Sequence, residues 1–351
     1  MKQHNYSSDA PIYDAALDRF NRFPFSQRVA NVIAKRNDPS SIVIGIYGAW
    51  GDGKTSVLNF IERELQTEEH VVCLKFNPWR FGDEDQMLNN FFNDLATVID
   101  RSIESGKERI GNLIEKYGKP LASIVGKGEV ADGVKSFFLG ADIEELRERI
   151  ENLLAEEKKR VVILLDDIDR LEKNEIHALF RLVKLTADFK YTAYVLAFDK
   201  HVVSSALQER YGYNAIETGN SFLEKIIQVP LELPSIEIED LRNFCFNEID
   251  EVLNFSNIGL TEEDSRQFVN NFSKGLEAHL KTPRQAKLYS NILMFSLPIL
   301  KDEANIVDLM LVEGIRVLLP EVYALIRDNR DLFLKDGTSG YGYDHDQKEK
   351  T

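Results

Sequence analysis

The stretch GIYGAWGDGKTSVLNF, Gly45–Phe60, places glycine, lysine and a hydroxyl at a set spacing: Gly48, four residues, then Gly53, Lys54 and Thr55. Glycine lets the backbone turn its N–H groups inward around an anion, where a Cβ would collide. Lys54 adds a point charge suited to the β- and γ-phosphates of a nucleoside triphosphate. The Thr55 hydroxyl suits one coordination position on Mg2+, and a helix starting near Gly53 aims its positive dipole end at the same place. Gly48, Ala49, Trp50, Gly51, Asp52, Gly53, Lys54, Thr55 and Ser56 are therefore the expected phosphate cradle, a full Walker A pattern. Trp50 occupies a variable position of that pattern, and phosphate chemistry alone does not require an indole there.

A phosphate cradle needs an acid for the metal. The aliphatic run VVILL ends at Asp166, where a strand delivers a metal-binding aspartate. Thr55 and Asp166 are the expected Mg2+ ligands. Asp167 follows directly and could polarise an attacking water. Asp169 and Arg170 complete DDIDRL. Arg170 carries two readings: a transition-state cation, in cis or across a subunit interface, or an ion pair with Asp169 or Asp167.

The surrounding pattern supplies elements to hold these groups. SIVIGIY reads as a buried strand feeding the glycine loop, and TSVLNFIERELQ resumes a helical period. HVVCLKFNPWRF reads as a second strand stopped by Pro78, followed by a helix in QMLNNFFNDLATVID. Asp142 is expected to open a helix with Glu145 as a capping box. VVILL, the helix NEIHALFRLVKLTADF and the strand YTAYVLAFD continue the alternation, which argues for a parallel α/β sheet. Tyr13 to Ala34 repeats apolar residues at helical spacing, with Pro24 in the middle. After Pro234 only helical patterns follow: 238–253, 261–280, 283–299 and 306–328. The expected organisation is an N-terminal segment (1–40), an α/β core (41–235) with a glycine-rich insertion near 105–140, a helical lid (236–334) and a polar tail or linker (335–351).

Bulk properties narrow the function. The chain has 351 residues, 43% hydrophobic and 29% charged, an ordinary globular composition. A net charge of −15 offers no overall basic footprint for nucleic acid, although a local patch stays open. The polar start and the lack of a long apolar run lead us to expect a cytoplasmic protein with no membrane partner. Cys73 and Cys245 read as buried free thiols, and the six histidines match no zinc spacing.

Several stretches together resemble the KAP family of P-loop NTPases, relatives of AAA+ and STAND enzymes. They are DRFNRFPFSQRVANVI, the glycine loop, KFNPWRF, LLDDIDRL, VLAFD, FLEKIIQVPLELP, TPRQAKLYSNIL and ANIVDLMLVEGIRVLLPEVY, spread over about residues 9–330. Many relatives carry transmembrane helices between the Walker motifs. The insertion here is too polar and glycine-rich for that, so the resemblance is to a soluble bacterial type. It implies an α/β P-loop sheet sandwiched by helices, followed by an all-α lid, and it implies ATP with Mg2+ as ligand.

The resemblance also suggests roles. Asp199, after YVLAF, falls where a sensor reads the γ-phosphate, a position usually held by Asn, Ser or Thr. Arg284 in TPRQ resembles an arginine delivered by the lid. Thr282 would cap that helix and Pro283 start it, so a cation in its first turn opposes the dipole and asks for an anion, nucleotide or carboxylate. FSQRVANVI resembles the segment that shelters adenine, with Arg22 and Phe25 as candidates. Trp79, Arg80 and Phe81 are expected near the nucleotide edge, either packing against Trp50 or passing nucleotide state to a neighbouring subunit. The implied activity is an ATPase switch acting through a homo-oligomer or a separate effector, in defence against phage or plasmids. The alternatives are a nucleotide-gated scaffold with little turnover and, third, a DNA-handling motor.

Overall fold

The computed structural model describes residues 9–102, 133–186, 188–208 and 215–333. They fall into two compact units, one spanning Ala10–Asp240 and the other joining Asp9 to the chain from Leu241 onward.

The first unit is built on five parallel strands: β1 (Ile42–Tyr47), β2 (Val71–Phe76), β3 (Arg160–Leu165), β4 (Thr192–Phe198) and β5 (Val229–Glu232), in the order β2-β3-β4-β1-β5. The inner strands are buried along their whole length and almost wholly apolar because both faces are covered. Val161, Ile163 and Leu165 of β3 face one core, which receives α3 (Glu84–Ser102), α4 (Gly133–Glu156), α5 (Lys173–Thr186), α6 (Lys200–Gln208) and α7 (Ala215–Glu224). Val162 and Leu164 face the other, filled by α1 (Phe23–Ala34) and α2 (Lys54–Leu65). A slip of one residue in β3 would exchange these two sets, so packing fixes its register.

Several expectations need correction. The helical period in 13–34 is a short 3-10 turn, Ala15–Leu17, and then α1, with Pro24 in the first turn of α1 instead of mid-helix. Pro is favoured there because its missing N–H has no partner in any case. Asp142 does not open a helix but lies inside α4, which starts at Gly133. Residues 105–132 of the expected insertion and the expected tail, 335–351, lie outside the described residues. The strand β5 went unforeseen because Pro230 interrupts its pattern. It is an edge strand bonded only to β1, where a proline is tolerated.

The second unit is helical: α8 (Ile238–Phe255), α9 (Glu262–Gly275), α10 (Pro283–Leu300), α11 (Ile306–Leu318), α12 (Pro320–Asp328) and α13 (Arg330–Phe333). The single helix expected over 306–328 breaks at Leu319, whose backbone leaves the helical region (φ −136°, ψ 60°) ahead of Pro320. Cys245 is buried and Cys73 half-buried, both free, and burial pushes each thiol up to about 12. Among the described residues no helix is long and apolar enough to cross a membrane.

Candidate nucleotide site

Four strands end along one edge of the sheet. The register pairs Tyr47 with Phe198, Phe76 with Leu165 and Leu165 with Leu196. The residues that follow, Gly48, Asn77, Asp166 and Asp199, therefore emerge together. This carboxyl edge is where open parallel sheets bind ligands.

The loop after β1 is shaped for an anion. Gly51 and Gly53 sit at φ 91° and 89°, a region that L side chains rarely adopt. Gly53 caps α2, so the first N–H groups of that helix face the loop. A Cβ on Gly48 would come within 2.7 Å of Leu233 Cδ1. The loop is closed by Ala49 N–H donating to Asp52 Oδ2 at 2.7 Å. Lys54 Nζ donates to the carbonyls of Gly48 (3.1 Å) and Ala49 (3.2 Å) and to Asp169 Oδ2 (3.0 Å). The Ser56 hydroxyl, expected in the cradle, accepts from Ile12 N–H at 3.2 Å, while Asn59 donates to the Ile12 carbonyl. The chain near Ile12 is thereby strapped to the start of α2.

Three carboxylates face the loop from the end of β3. Asp166 is buried, and burial, then the charge of Asp167, push its carboxyl up. The nearby Thr55 hydroxyl and the Asp167 N–H, which donates at 3.0 Å, both pull the other way. Thr55 and Asp166, the expected metal ligands, thus lie near one another across the two motifs. Asp167 adopts a left-handed backbone (φ 55°). Its Oδ2 accepts from Asn77 Nδ2 at 2.7 Å, and its Oδ1 lies 2.8 Å from Arg170 Nε. The ion pair with Asp167 is one of the two readings of Arg170. Asp169 accepts from Asp199 N–H at 3.1 Å as well as from Lys54. Asp199 Oδ1 in turn accepts from His201 and Val202 N–H groups at the start of α6, so the expected phosphate sensor also serves as a helix cap.

The donor set fits a nucleotide with Mg2+. Arg22, at the N-cap of α1, is 5% exposed, and its Nε and Nη1 have no hydrogen-bond partner. Burial pulls its guanidinium below the ordinary value, and Asp52 of the loop and Asp18 push it back up. A buried cation with unpaired donors beside a phosphate-type loop asks for an anionic or polar ligand. Mg2+ bound with nucleotides uses one or two side chains plus phosphates, which suits Thr55 and Asp166. Among the described residues no group of three or more His, Cys, Asp or Glu forms a metal cage. Phe25 is half-buried against the core under α1 and α2.

Arg284 belongs to the other unit. Thr282 caps α10 with a capping box to Gln285, Pro283 starts it, and Arg284 pairs with Asp9 at 3.1 Å. The anion that its position asked for is here a carboxylate.

A sequence profile described as the KAP family P-loop domain matches residues 22–300. The chain belongs to this family. The KAP domain is 30% identical over 352 aligned positions to the phage T7 exclusion protein of Escherichia coli K12, covering 90% of this chain and 46% of that protein. It thus spans about half the length of that relative. It is 26% identical over 183 positions to the ORC1-type DNA replication protein 4 of Haloarcula marismortui, covering 45% of this chain and 34% of that one. Among solved structures it is similar to the Aeropyrum pernix ORC1 protein in complex with DNA, at 16% identity and TM-score 0.41, covering 91% of this chain and 73% of the other.

Two contributors escaped the sequence reading of the KAP domain. Asn77 was visible in FNPWRF without a role. Asp169 was visible in DDIDR, but nothing in the spacing showed that Lys54 would be its partner.

Proposed function

We propose that the KAP domain binds Mg2+–ATP in the Gly48–Ser56 loop and hydrolyses it, and that the nucleotide state drives oligomerisation or activates an effector in bacterial defence against phage or plasmids. The observation that carries this is the 3.0 Å bond from Lys54 Nζ to Asp169 Oδ2, which joins the phosphate loop to the acidic run after β3. Thr55 and Asp166 would hold Mg2+, which would supply neutralising charge to the phosphates. Lys54 exchanges Asp169 for a phosphate oxygen. Asp167 orients and takes a proton from water. Arg22, with Phe25, takes the nucleoside side, its orphaned donors satisfied by the ligand. Asp199 and Arg284 are assigned to sensing the terminal phosphate. The name of the phage exclusion relative supports the defence setting.

A second reading, a nucleotide-gated scaffold with little turnover, draws on Asp167 being engaged at both oxygens. Asp167→Asn separates the two. A hydrolytic switch keeps ATP binding and loses phosphate release together with biological protection. A scaffold keeps its protection. A DNA-handling motor is the weaker option at a net charge of −15.

A further inference from the structure

Trp50 and Trp79 are the two tryptophans of the chain, and both stand against one guanidinium. Arg170 Cζ lies 5.3 Å from the Trp50 ring centroid and 4.8 Å from that of Trp79. The indoles come from different loops, Trp50 from the phosphate loop after β1 and Trp79 from the 3-10 turn Pro78–Arg80 after β2. Each is about half exposed, at 55% and 53%. Indoles spend little conformational entropy in forming such contacts, and a planar guanidinium stacks on them where an ammonium does not.

The contacts close a circuit on Asp167. Arg170 Nε pairs with Asp167 Oδ1, while Asn77 Nδ2 donates to Asp167 Oδ2. The same Asn77 accepts Trp79 N–H through Oδ1 at 3.0 Å, capping the turn that presents the indole to Arg170. Both carboxylate oxygens are therefore tied to the Trp79 turn, and Trp50 ties the guanidinium to the phosphate loop.

We propose that Trp50, Arg170 and Trp79 form a relay that sets the orientation of the Asp167 carboxylate according to the occupancy of the phosphate loop. Arg170 is then a positioning residue. When phosphate reshapes the loop, the indole moves with it, and the guanidinium follows and re-aims Asp167. This rests on the functional reading above for the role of Asp167, and its first readout is independent of hydrolysis.

The experiment titrates the 351-residue chain with Mg2+–ADP and Mg2+–ATP while following tryptophan emission. Trp50→Phe and Trp79→Phe leave one reporter each and keep an aromatic face. Nucleotide affinity is measured separately by calorimetry, and kcat and KM by phosphate release. The relay requires that Trp79 alone, in the Trp50→Phe chain, changes its emission on nucleotide binding. It also requires that Arg170→Lys, which keeps the charge and loses the plane, abolishes that change while affinity stays within about threefold. In the same Arg170→Lys chain kcat falls at least about tenfold with KM nearly unchanged, the signature of a displaced catalytic group. Emission changes that survive Arg170→Lys, or kcat that falls only in step with affinity, overturn the relay and leave the functional reading standing. Absence of nucleotide binding by the wild-type chain overturns both.

Discussion

Lys54 Nζ and Asp169 Oδ2 stand 3.0 Å apart, with the two side chains only 10% and 7% exposed. The ammonium that a P-loop offers to phosphate is thus held by a carboxylate of the same site, and nucleotide competes with that carboxylate. Asp169→Asn leaves Lys54 buried with two carbonyls for partners, so the ligand-free protein loses about 3 kcal/mol of stability. Its affinity for ADP rises about tenfold, because the phosphate no longer displaces an anion. Calorimetric titration and thermal melting check the pair of effects. Weaker ADP binding would make Asp169 a supporter of the ligand instead of its rival.

Asp166 makes the site pH-dependent. Burial and the charge of Asp167 raise its carboxyl, so the folded state holds that proton more tightly than the unfolded chain. The contribution to stability is complete below the ordinary carboxyl value, about 4, and is lost as pH rises through the raised folded value. Asp166→Asn removes this loss, and at pH 7 the ligand-free melting temperature rises by about 2 °C or more. On the proposed function, Mg2+ binding with nucleotide is expected to release the same proton, so that in the wild type its affinity climbs with pH over that window. In Asp166→Asn the pH dependence flattens and Mg2+ no longer strengthens nucleotide binding.

Arg22 separates stability from binding. Its orphaned Nε and Nη1 are a liability in the ligand-free protein. Arg22→Met preserves volume and removes the buried charge, so the melting temperature stays level or rises, as when buried ions give way to apolar residues. Nucleotide affinity falls about tenfold, one lost charged hydrogen bond. A melting temperature that drops while affinity holds would mark Arg22 as structural.

The strands were legible because doubly covered strands must be mostly apolar, as the runs within SIVIGIY and VVILL are. The glycine loop was legible because its glycines, lysine and hydroxyl follow one another at local spacing. Asp166 was legible because it ends such a strand. Other features depend on how separate strands align. The Asn77–Asp167 bond exists because Phe76 is in register with Leu165, and the Arg170 stack exists because three loops converge. No period along one segment encodes those meetings. The β5 edge was hidden by Pro230, and the start of α4 by a capping pattern at Asp142 that the helix runs through.

The central claim is that the Gly48–Ser56 loop supports Mg2+-dependent hydrolysis of ATP, and the direct measurement is phosphate release by wild-type and Lys54→Ala protein prepared and assayed side by side. The expected result is Mg2+-dependent release by the wild type and a rate at least about 100-fold lower for Lys54→Ala, the scale for losing one preorganised charge at the reacting group. Equal release by the two proteins would contradict it.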